Sequence, residues 1–262
     1  MKLINVLIFS VKSLFGKYSN LRILFGKIVS KFVEKKPSNE YLCWLSDNSI
    51  DIESFCMNID EQLWKESLEF EINLNNSAQM NISDYILQKM GGAGACHLLY
   101  FLVRKMNLRI IVESGVSLGY SSATLLDAIK KNGNGILYSS DFPYPGLNDS
   151  EKYIGILVPK ELRNDWVLKI KGDEYNLPEI SKIAGKVDLI HYDSDKTFAG
   201  REFALRVLEK NISSNTVIIM DDIHENAHFK KLVDKFASRS FKVFRFKNKY
   251  IGMIERSSSQ AQ

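Results

Sequence analysis

Cysteine is scarce in this chain of 262 residues, which contains only Cys43, Cys56 and Cys96 and no CxxC pair. An odd number of widely spaced cysteines suits neither a disulfide framework nor a thiolate zinc site. The cysteine pattern therefore favours a protein of a reducing compartment, the cytoplasm.

Long hydrophobic runs are also missing. The apolar stretch from Leu3 to Val11 is too short to span a bilayer, and no small-residue cleavage site follows it. Residues 1–36 nevertheless place apolar residues at helical spacing with lysines between them, which predicts a basic amphipathic helical segment. Two roles stay open for this segment: peripheral contact with the inner face of an anionic membrane, or a helix that covers the domain or forms a homodimer.

A strong charge of either sign is lacking over most of the chain. Residues 1–36 hold eight Lys or Arg residues and one acid, Glu34, whereas the formal net charge of the whole chain is only +4. The remaining body is therefore mildly acidic, which argues against nucleic acid as a partner.

Strands and helices alternate from residue 109 onwards. The apolar strand candidates are Arg109 to Glu113, Ile136 to Asp141, Trp166 to Ile170, Val187 to Asp193 and Thr216 to Met220. The helical patterns are Tyr120 to Lys131, Glu174 to Ala184, Phe198 to Lys210 and Glu225 to Phe236. Such alternation predicts a doubly wound α/β fold with a parallel sheet covered on both faces. The ending, "SFKVFRFKNKYIGMIER", predicts a hairpin of two further strands.

These patterns divide the chain into four parts. We expect a basic amphipathic helical segment at 1–36, a helical cap at 37–90, the α/β domain at 91–256 and a disordered tail at 257–262. Residues 37–90 contain no chemical motif, so the functional residues are expected in the third part.

Acidic residues stand where the predicted strands end. These residues are Glu113, Asp141, Asp193, Asp221 and Asp222, and Asp173 follows the third strand. In a doubly wound sheet, ligands bind beyond the carboxyl ends of the strands. Carboxylates gathered there repel one another unless a positive or hydrogen-donating group lies among them. The sequence therefore predicts a ligand site at this edge.

The turn "VESGVSLGYSS" narrows the choice of ligand. Gly115 and Gly119 let the backbone approach a ligand closely, but their spacing matches neither the dinucleotide GxGxxG nor the triphosphate-binding GK[ST] motif. Asp141 stands where a carboxylate can bind a ribose diol. Together with Asp173, these features favour a nucleoside with a positively charged tail, such as S-adenosylmethionine.

The chain also resembles a known family over roughly residues 91 to 255. The stretches that carry the resemblance are "GGAGACHLLYFLVRK", "IVESGVSLGYSSATLLDAI", "YSSDFPYPG", "LVPKELRNDWVLKIKGDEYNLPEI", "VDLIHYDSDKTF" and "VIIMDDIHENAHF". They are similar to class I S-adenosylmethionine-dependent methyltransferases, in the bacterial subgroup related to sugar and natural-product O-methyltransferases. The resemblance implies a Rossmann-like, seven-stranded, mostly parallel sheet with an antiparallel C-terminal hairpin and, here, an N-terminal helical extension.

The resemblance also implies an activity and a cofactor site. The expected reaction is O-methylation of a hydroxyl on a sugar, a glycolipid or a small natural product, and the expected partner is that small-molecule or glycan acceptor. Glu113, Gly115 and Gly119 would line the methionine part of the cofactor, Asp141 the ribose and Asp173 the adenine. The full set of expected cofactor residues is Glu113, Gly115, Ser117, Gly119, Ser121, Ser122, Asp141, Gly172, Asp173 and Asp193.

A metal site is expected next to the cofactor. Asp193, Asp221 and Asp222 offer hard oxygen ligands that suit Mg²⁺. In the metal-dependent sugar O-methyltransferases that the chain resembles, matching acids hold a divalent ion, and the acid matching Asp195 is placed to act as base. Lys196 replaces the histidine of the motif "DSxHTY"; lysine is a poor metal ligand and can instead pair with the acids. The catalytic candidates are therefore Asp195, His224 and Lys196, and a need for metal stays open.

Two other functions remain as alternatives. A cofactor-binding, non-methylating membrane scaffold would follow if Lys196 neutralises the acids. A zinc peptidase would follow if "HENAH", His224 to His228, were an HExxH helix, but the motif comes directly after a strand. His191 lies inside a strand pattern, which favours a satisfied, partly buried side chain over a catalyst.

Overall fold

The computed structural model describes residues 34, 36–144 and 146–257. The predicted amphipathic segment lies outside the described residues except for Glu34 and Lys36. The predicted tail lies outside them except for Ser257.

An eight-stranded sheet runs through the centre of the fold. Its strands are β1 (Ser49–Asp51), β2 (Ile110–Ser114), β3 (Ile136–Ser140), β4 (Trp166–Lys169), β5 (Leu189–Tyr192), β6 (Val217–Met220), β7 (Ser240–Phe246) and β8 (Lys249–Glu255). The spatial order is β1-β7-β8-β6-β5-β2-β3-β4. Strand β8 is antiparallel to both of its neighbours, and the other neighbouring pairs are parallel.

Eight α-helices accompany the sheet in the described part of the chain. They are α1 (Asn39–Asp47), α2 (Ile52–Asn81), α3 (Asp84–Met90), α4 (Cys96–Lys105), α5 (Tyr120–Lys131), α6 (Asp173–Ile183), α7 (Phe198–Leu208) and α8 (His228–Lys235). Short 3₁₀ turns occupy Ser150–Lys152, Lys160–Asp165, Glu209–Asn211 and Ile223–Glu225. Among these residues, no helix combines the length and the hydropathy that crossing a bilayer requires.

Successive residues of the strands point into two hydrophobic cores, one on each face of the sheet. Ile111 of β2 faces the core that α2, α4 and α5 cover, and its neighbour Val112 faces the core that α1, α6, α7 and α8 cover. Both faces of the sheet are therefore buried, as continuous apolar strands require.

The doubly wound architecture and the antiparallel C-terminal hairpin are confirmed. The sheet has one strand more than the seven expected, because β1 pairs in parallel with β7 and extends that edge. Helix α8 begins at His228 rather than at Glu225, because Asn226 has an extended backbone with φ −162° and ψ 168°.

Candidate functional site

A cavity of about 450 Å³ opens beyond the carboxyl ends of the parallel strands. The glycine-rich stretch before α4, the turn after β2, the ends of β3, β5 and β6, and the start of β8 line it. Its volume falls within the roughly 300–1,000 Å³ typical of small-molecule sites. The edge that the sequence predicts to bind a ligand therefore carries a cavity of suitable size.

Gly115 and Gly119 fix the shape of the turn after β2. Both have positive φ angles, +97° and +93°. A Cβ atom on Gly115 would lie 2.5 Å from the carbonyl oxygen of Asp193, and one on Gly119 would lie 2.8 Å from the Cα of Gly155. The two glycines thus pack this turn against β5 and against the segment that follows β3, while Gly115 also lines the cavity.

Glu113 lies beneath this turn and is fully buried. Its carboxylate accepts hydrogen bonds from the hydroxyls of Ser121, Ser122 and Ser139 at 2.6, 2.6 and 2.7 Å. Burial raises the pKa of Glu113 to about 7, against the lowering effect of the three serine hydroxyls. Of this group, Ser121 lines the cavity, whereas Glu113 and Ser122 support it from below.

Asp141 follows β3 and lines the cavity. Its Oδ2 accepts the backbone N–H groups of Val116 and Ser117 at 3.1 and 2.6 Å, and its Oδ1 accepts that of Phe142 at 2.6 Å. Burial raises the pKa of this carboxyl, and the three N–H donors oppose that shift. Asp141 therefore ties the strand β3 to the turn after β2 at the cavity wall.

Asp173 lies outside the cavity lining. Its carboxylate accepts hydrogen bonds from the hydroxyls of Ser114, Ser140 and Ser194, at 2.8, 2.6 and 2.5 Å. Asp173 thus links β2, β3 and the end of β5 from behind, and Gly172 precedes it at the start of α6. The adenine role expected from the resemblance stays a prediction.

Asp193, Asp221 and Asp222 converge at the other end of the cavity. One carboxylate oxygen from each lies within 4.8 Å of the others. Lys196 forms an ion pair with Asp193 and lies 3.4 Å from Oδ2 of Asp222, while Lys249 lies 2.8 Å from Oδ1 of Asp222. Two lysine side chains therefore already offset part of the negative charge of the three acids.

Burial and ion pairing act against each other in this cluster. Burial lowers the pKa of Lys196, and the charges of Asp221 and Asp222 only partly oppose that shift. The pKa of Asp222 is lowered, because Lys196 and Lys249 outweigh the effect of burial. The Oδ1 atom of Asp221 is buried without a hydrogen-bond partner in the described structure.

Buried side chains hold the turn that carries Asp221 and Asp222. Nη2 of Arg201, which is fully buried, donates to the carbonyls of both residues at 3.1 and 2.8 Å. The hydroxyl of Tyr41, from α1, donates to the carbonyl of Ile223 at 2.8 Å. Three consecutive carbonyls are thus fixed, which stabilises the left-handed conformation of Asp222, with φ +50°.

The three predicted catalytic residues do not lie in one site. Lys196 lines the cavity, whereas Asp195 and His224 do not. Oδ1 of Asp195 accepts the backbone N–H of Thr197 at 3.0 Å, before the start of α7. The ring of His224 packs near that of Tyr250, with 6.5 Å between the centroids.

The two histidines of "HENAH" lie on different elements. His224 belongs to a 3₁₀ turn, and His228 begins α8. The HExxH motif of zinc peptidases instead requires both histidines on one helix face. Nε2 of His228 lies 3.2 Å from Oε2 of Glu202, and the cluster of potential metal ligands found among the described residues contains neither histidine.

Some lining residues were missed by the sequence analysis. Gly91, Gly92 and Gly94 line the cavity, although no motif in the sequence assigned them a role there. The expectation that His191 is a satisfied, partly buried side chain was wrong: it lines the cavity, is only 5% exposed, and its Nδ1 has no hydrogen-bond partner among the described residues. Burial lowers the pKa of His191 to about 4. The register of β2 and β5 places His191 beside Glu113, a relation that only the strand pairing reveals.

Comparisons with known proteins agree with this architecture. Residues 112–223 match the model of a protein family described as a methyltransferase domain. No curated protein matches the sequence significantly. Among solved structures, an O-methyltransferase from Bacillus cereus in complex with S-adenosylhomocysteine has a TM-score of 0.50 and 16% identity, covering 81% of this chain and 100% of its own. A second similar structure is TomG from Streptomyces achromogenes, an O-methyltransferase involved in tomaymycin synthesis that was solved with S-adenosylmethionine. Its TM-score is 0.52 at 14% identity, and the alignment covers 71% of this chain and 89% of TomG.

The family match and the sheet topology confirm the resemblance. Residues 112–223 are similar to a methyltransferase domain, and they lie within a Rossmann-like fold that resembles that of class I S-adenosylmethionine-dependent methyltransferases.

Proposed function

We propose that the protein transfers the methyl group of S-adenosylmethionine to a hydroxyl oxygen of an acceptor bound in the cavity. The observation that carries this proposal is the single cavity at which the glycine turn, Asp141 and the acid cluster with Lys196 meet. Structural neighbours described as O-methyltransferases agree with an oxygen acceptor.

The residues of the cavity fit the cofactor. Asp141 can accept hydrogen bonds from ribose hydroxyls once its carboxylate turns from the loop N–H groups. Gly91 and Gly92 leave room around the opposite wall, since a Cβ atom on either would meet nothing within 4 Å. When bound, S-adenosylmethionine supplies a methyl group on a positively charged sulfur, which the net negative charge of the acid cluster would favour.

We assign proton removal from the acceptor hydroxyl to Lys196. It is the one of the three predicted catalytic residues that lines the cavity. Burial lowers its pKa, which increases the fraction of amine able to accept a proton. The carboxylates of Asp193 and Asp222 hold its Nζ at the acid cluster.

A divalent ion fits the same acids. The three convergent carboxylates and the unpartnered Oδ1 of Asp221 form a hard oxygen donor set, which suits Mg²⁺. Such an ion would lower the pKa of the acceptor hydroxyl and orient it. It would compete with Lys196 for Asp193, so we propose Mg²⁺ as an activator rather than as a structural part of the site.

The position of Glu34 bears on the class of acceptor. Its Oε1 accepts hydrogen bonds from the backbone N–H of Phe198 and from Nδ2 of Asn226, which also donates to the carbonyl of Lys196. Glu34, near the end of the basic segment 1–36, therefore contacts the fold close to Lys196. We propose that this segment contacts an anionic membrane surface and that the acceptor is a sugar, a glycolipid or a small natural product presented there.

Transfer of a labelled methyl group tests the proposal. The full-length protein is incubated with S-adenosylmethionine labelled in its methyl group and with panels of sugars, glycolipids and small natural products that bear hydroxyls, with Mg²⁺ or with EDTA. We expect label in an acceptor and faster transfer with Mg²⁺. Cofactor binding without transfer to any acceptor, and without an effect of Mg²⁺, would instead favour the non-methylating scaffold.

Two lysine variants then locate the base. Lys196→Met should lower the transfer rate by about 10²- to 10⁴-fold, the range typical of a general base. Lys249→Met is the matched control, because the ion pair of Lys249 within the described residues is with Asp222 and its side chain is half exposed. Equal losses in both variants would show that charge compensation, rather than proton removal, is the role of Lys196.

A further inference from the structure

His191 occupies an unusual place in the cavity floor. It lies in the middle of β5, opposite Glu113 of β2 on one side and opposite Ile219 of β6 on the other. The side chain is 95% buried, since its exposed fraction is 5%, and it nevertheless lines the cavity. A polar ring at this depth must find hydrogen-bond partners or incur a desolvation cost.

The described part of the chain does not supply those partners. Nδ1 of His191 has no hydrogen bond among the described residues, and the nearest acidic atom, Oε1 of Glu113, is 4.0 Å away. Glu113 in turn already accepts three serine hydroxyls. No hydrogen bond of the described residues involves Nε2 of His191, so this nitrogen is left for a molecule in the cavity.

The surrounding charges indicate what kind of group that molecule carries. A proton on Nδ1 would face the carboxylate of Glu113, which leaves Nε2 as a hydrogen-bond acceptor. Asp221 exerts its negative charge on the same ring. An acceptor nitrogen between two acids matches a positively charged donor, which an ammonium group provides.

We propose that His191 binds the α-ammonium group of the methionine part of the cofactor. This inference rests on the proposed use of S-adenosylmethionine and adds a recognition residue on β5 to it. The position agrees with the order of the strands: Asp141 follows β3 at the ribose end, and His191 lies on β5, on the far side of the Gly115 turn. Asp173 lies outside the cavity lining, and Asp141 follows β3, which is not a neighbour of β5.

Calorimetry on the full-length protein with three probes tests the inference. S-adenosylhomocysteine carries the amino-acid part with a neutral sulfur, its decarboxylated analogue keeps only the amine, and 5′-methylthioadenosine lacks both groups. His191→Phe keeps the ring volume but removes the acceptor nitrogen. We expect it to weaken binding of the first two probes at least tenfold, the equivalent of about 1.4 kcal/mol, and to leave methylthioadenosine unchanged. His191→Gln, whose amide oxygen can replace Nε2, should restore part of the affinity.

The outcomes separate this inference from the proposed function. Equal weakening of all three probes, or no weakening in His191→Phe, would overturn the role of His191 while leaving the cofactor site in place. Loss for S-adenosylhomocysteine alone would assign the ring to the carboxylate and would also overturn the proposal. If the unaltered protein binds none of the three probes, the proposed function fails first. Thermal unfolding of both variants shows whether the fold is retained.

Discussion

At the scale of single residues, Glu113 shows how burial controls a charge. The carboxyl is completely buried, and its pKa of about 7 lies well above the ordinary value of 4.5 for a glutamate. Between these two values the native state keeps a proton that the unfolded chain has lost. The contribution of Glu113 to stability is therefore present at low pH and is lost as the pH rises from about 4.5 to 7.

Glu113→Gln should remove this pH dependence. The amide is neutral throughout, so the variant should gain about 2 to 3 kcal/mol relative to the unaltered protein when the pH rises from 5 to 8. Urea unfolding of both proteins at the two pH values measures this difference. A difference in unfolding free energy that does not change with pH would show that Glu113 is already ionised at pH 5.

The positions of the single acids could be predicted from the sequence, but their surroundings could not. Strand ends place Asp141, Asp193 and Asp221 at one edge, and each lines the cavity. The serines that surround Asp173, and the pairing of His191 with Glu113, depend on strand order and register. A local pattern carries no information about which strands become neighbours.

At the scale of elements, the turn after β2 depends on its glycines. Gly115→Ala would combine a positive φ of +97° with a Cβ atom 2.5 Å from a backbone oxygen. Gly133→Ala is the matched control, because Gly133 has a φ of +102° but a Cβ there would meet nothing within 4 Å. We expect a loss of about 1–2 kcal/mol for the control and about 1–3 kcal/mol more for Gly115→Ala.

Urea unfolding and binding of S-adenosylhomocysteine check this comparison. Gly115→Ala should also weaken binding, since Gly115 lines the cavity, whereas Gly133→Ala should not. Equal losses of stability in the two variants would mean that backbone strain alone determines the cost.

The elements that were predicted best are those with the strongest apolar periodicity. The helix Tyr120 to Lys131 has the predicted bounds, and five parallel strands lie within two residues of theirs. Strand β1 was missed because its three residues, Ser49–Asp51, contain a single apolar side chain. The bounds of α2 are harder to predict from the sequence, because the helix is weakly amphipathic and Asp60 interrupts its backbone with a φ of −164°.

At the scale of the whole molecule, the concentration of positive charge in residues 1–36 predicts binding to an anionic membrane surface. Glu34, near the end of the basic segment, contacts Phe198 and Asn226. We expect the full chain to sediment with vesicles that contain anionic lipid, less so at high salt, and a chain lacking residues 1–33 to stay in solution. Neutral vesicles are the control.

Two results would contradict the membrane role of this segment. If the shortened chain still sediments with anionic vesicles, the segment is not the membrane contact. If it does not bind vesicles but changes from dimer to monomer, the segment forms a homodimer instead.

The short strand β1 has a consequence for the boundaries of the catalytic unit. It precedes the family segment 112–223 by some sixty residues, yet it pairs with Val243, Phe244 and Arg245 of β7. A fragment trimmed to begin at residue 91 would leave one side of that seven-residue strand as a row of open amide and carbonyl groups. Such an edge recruits strands from other chains, so the trimmed enzyme would be prone to polymerise even if its cavity were intact.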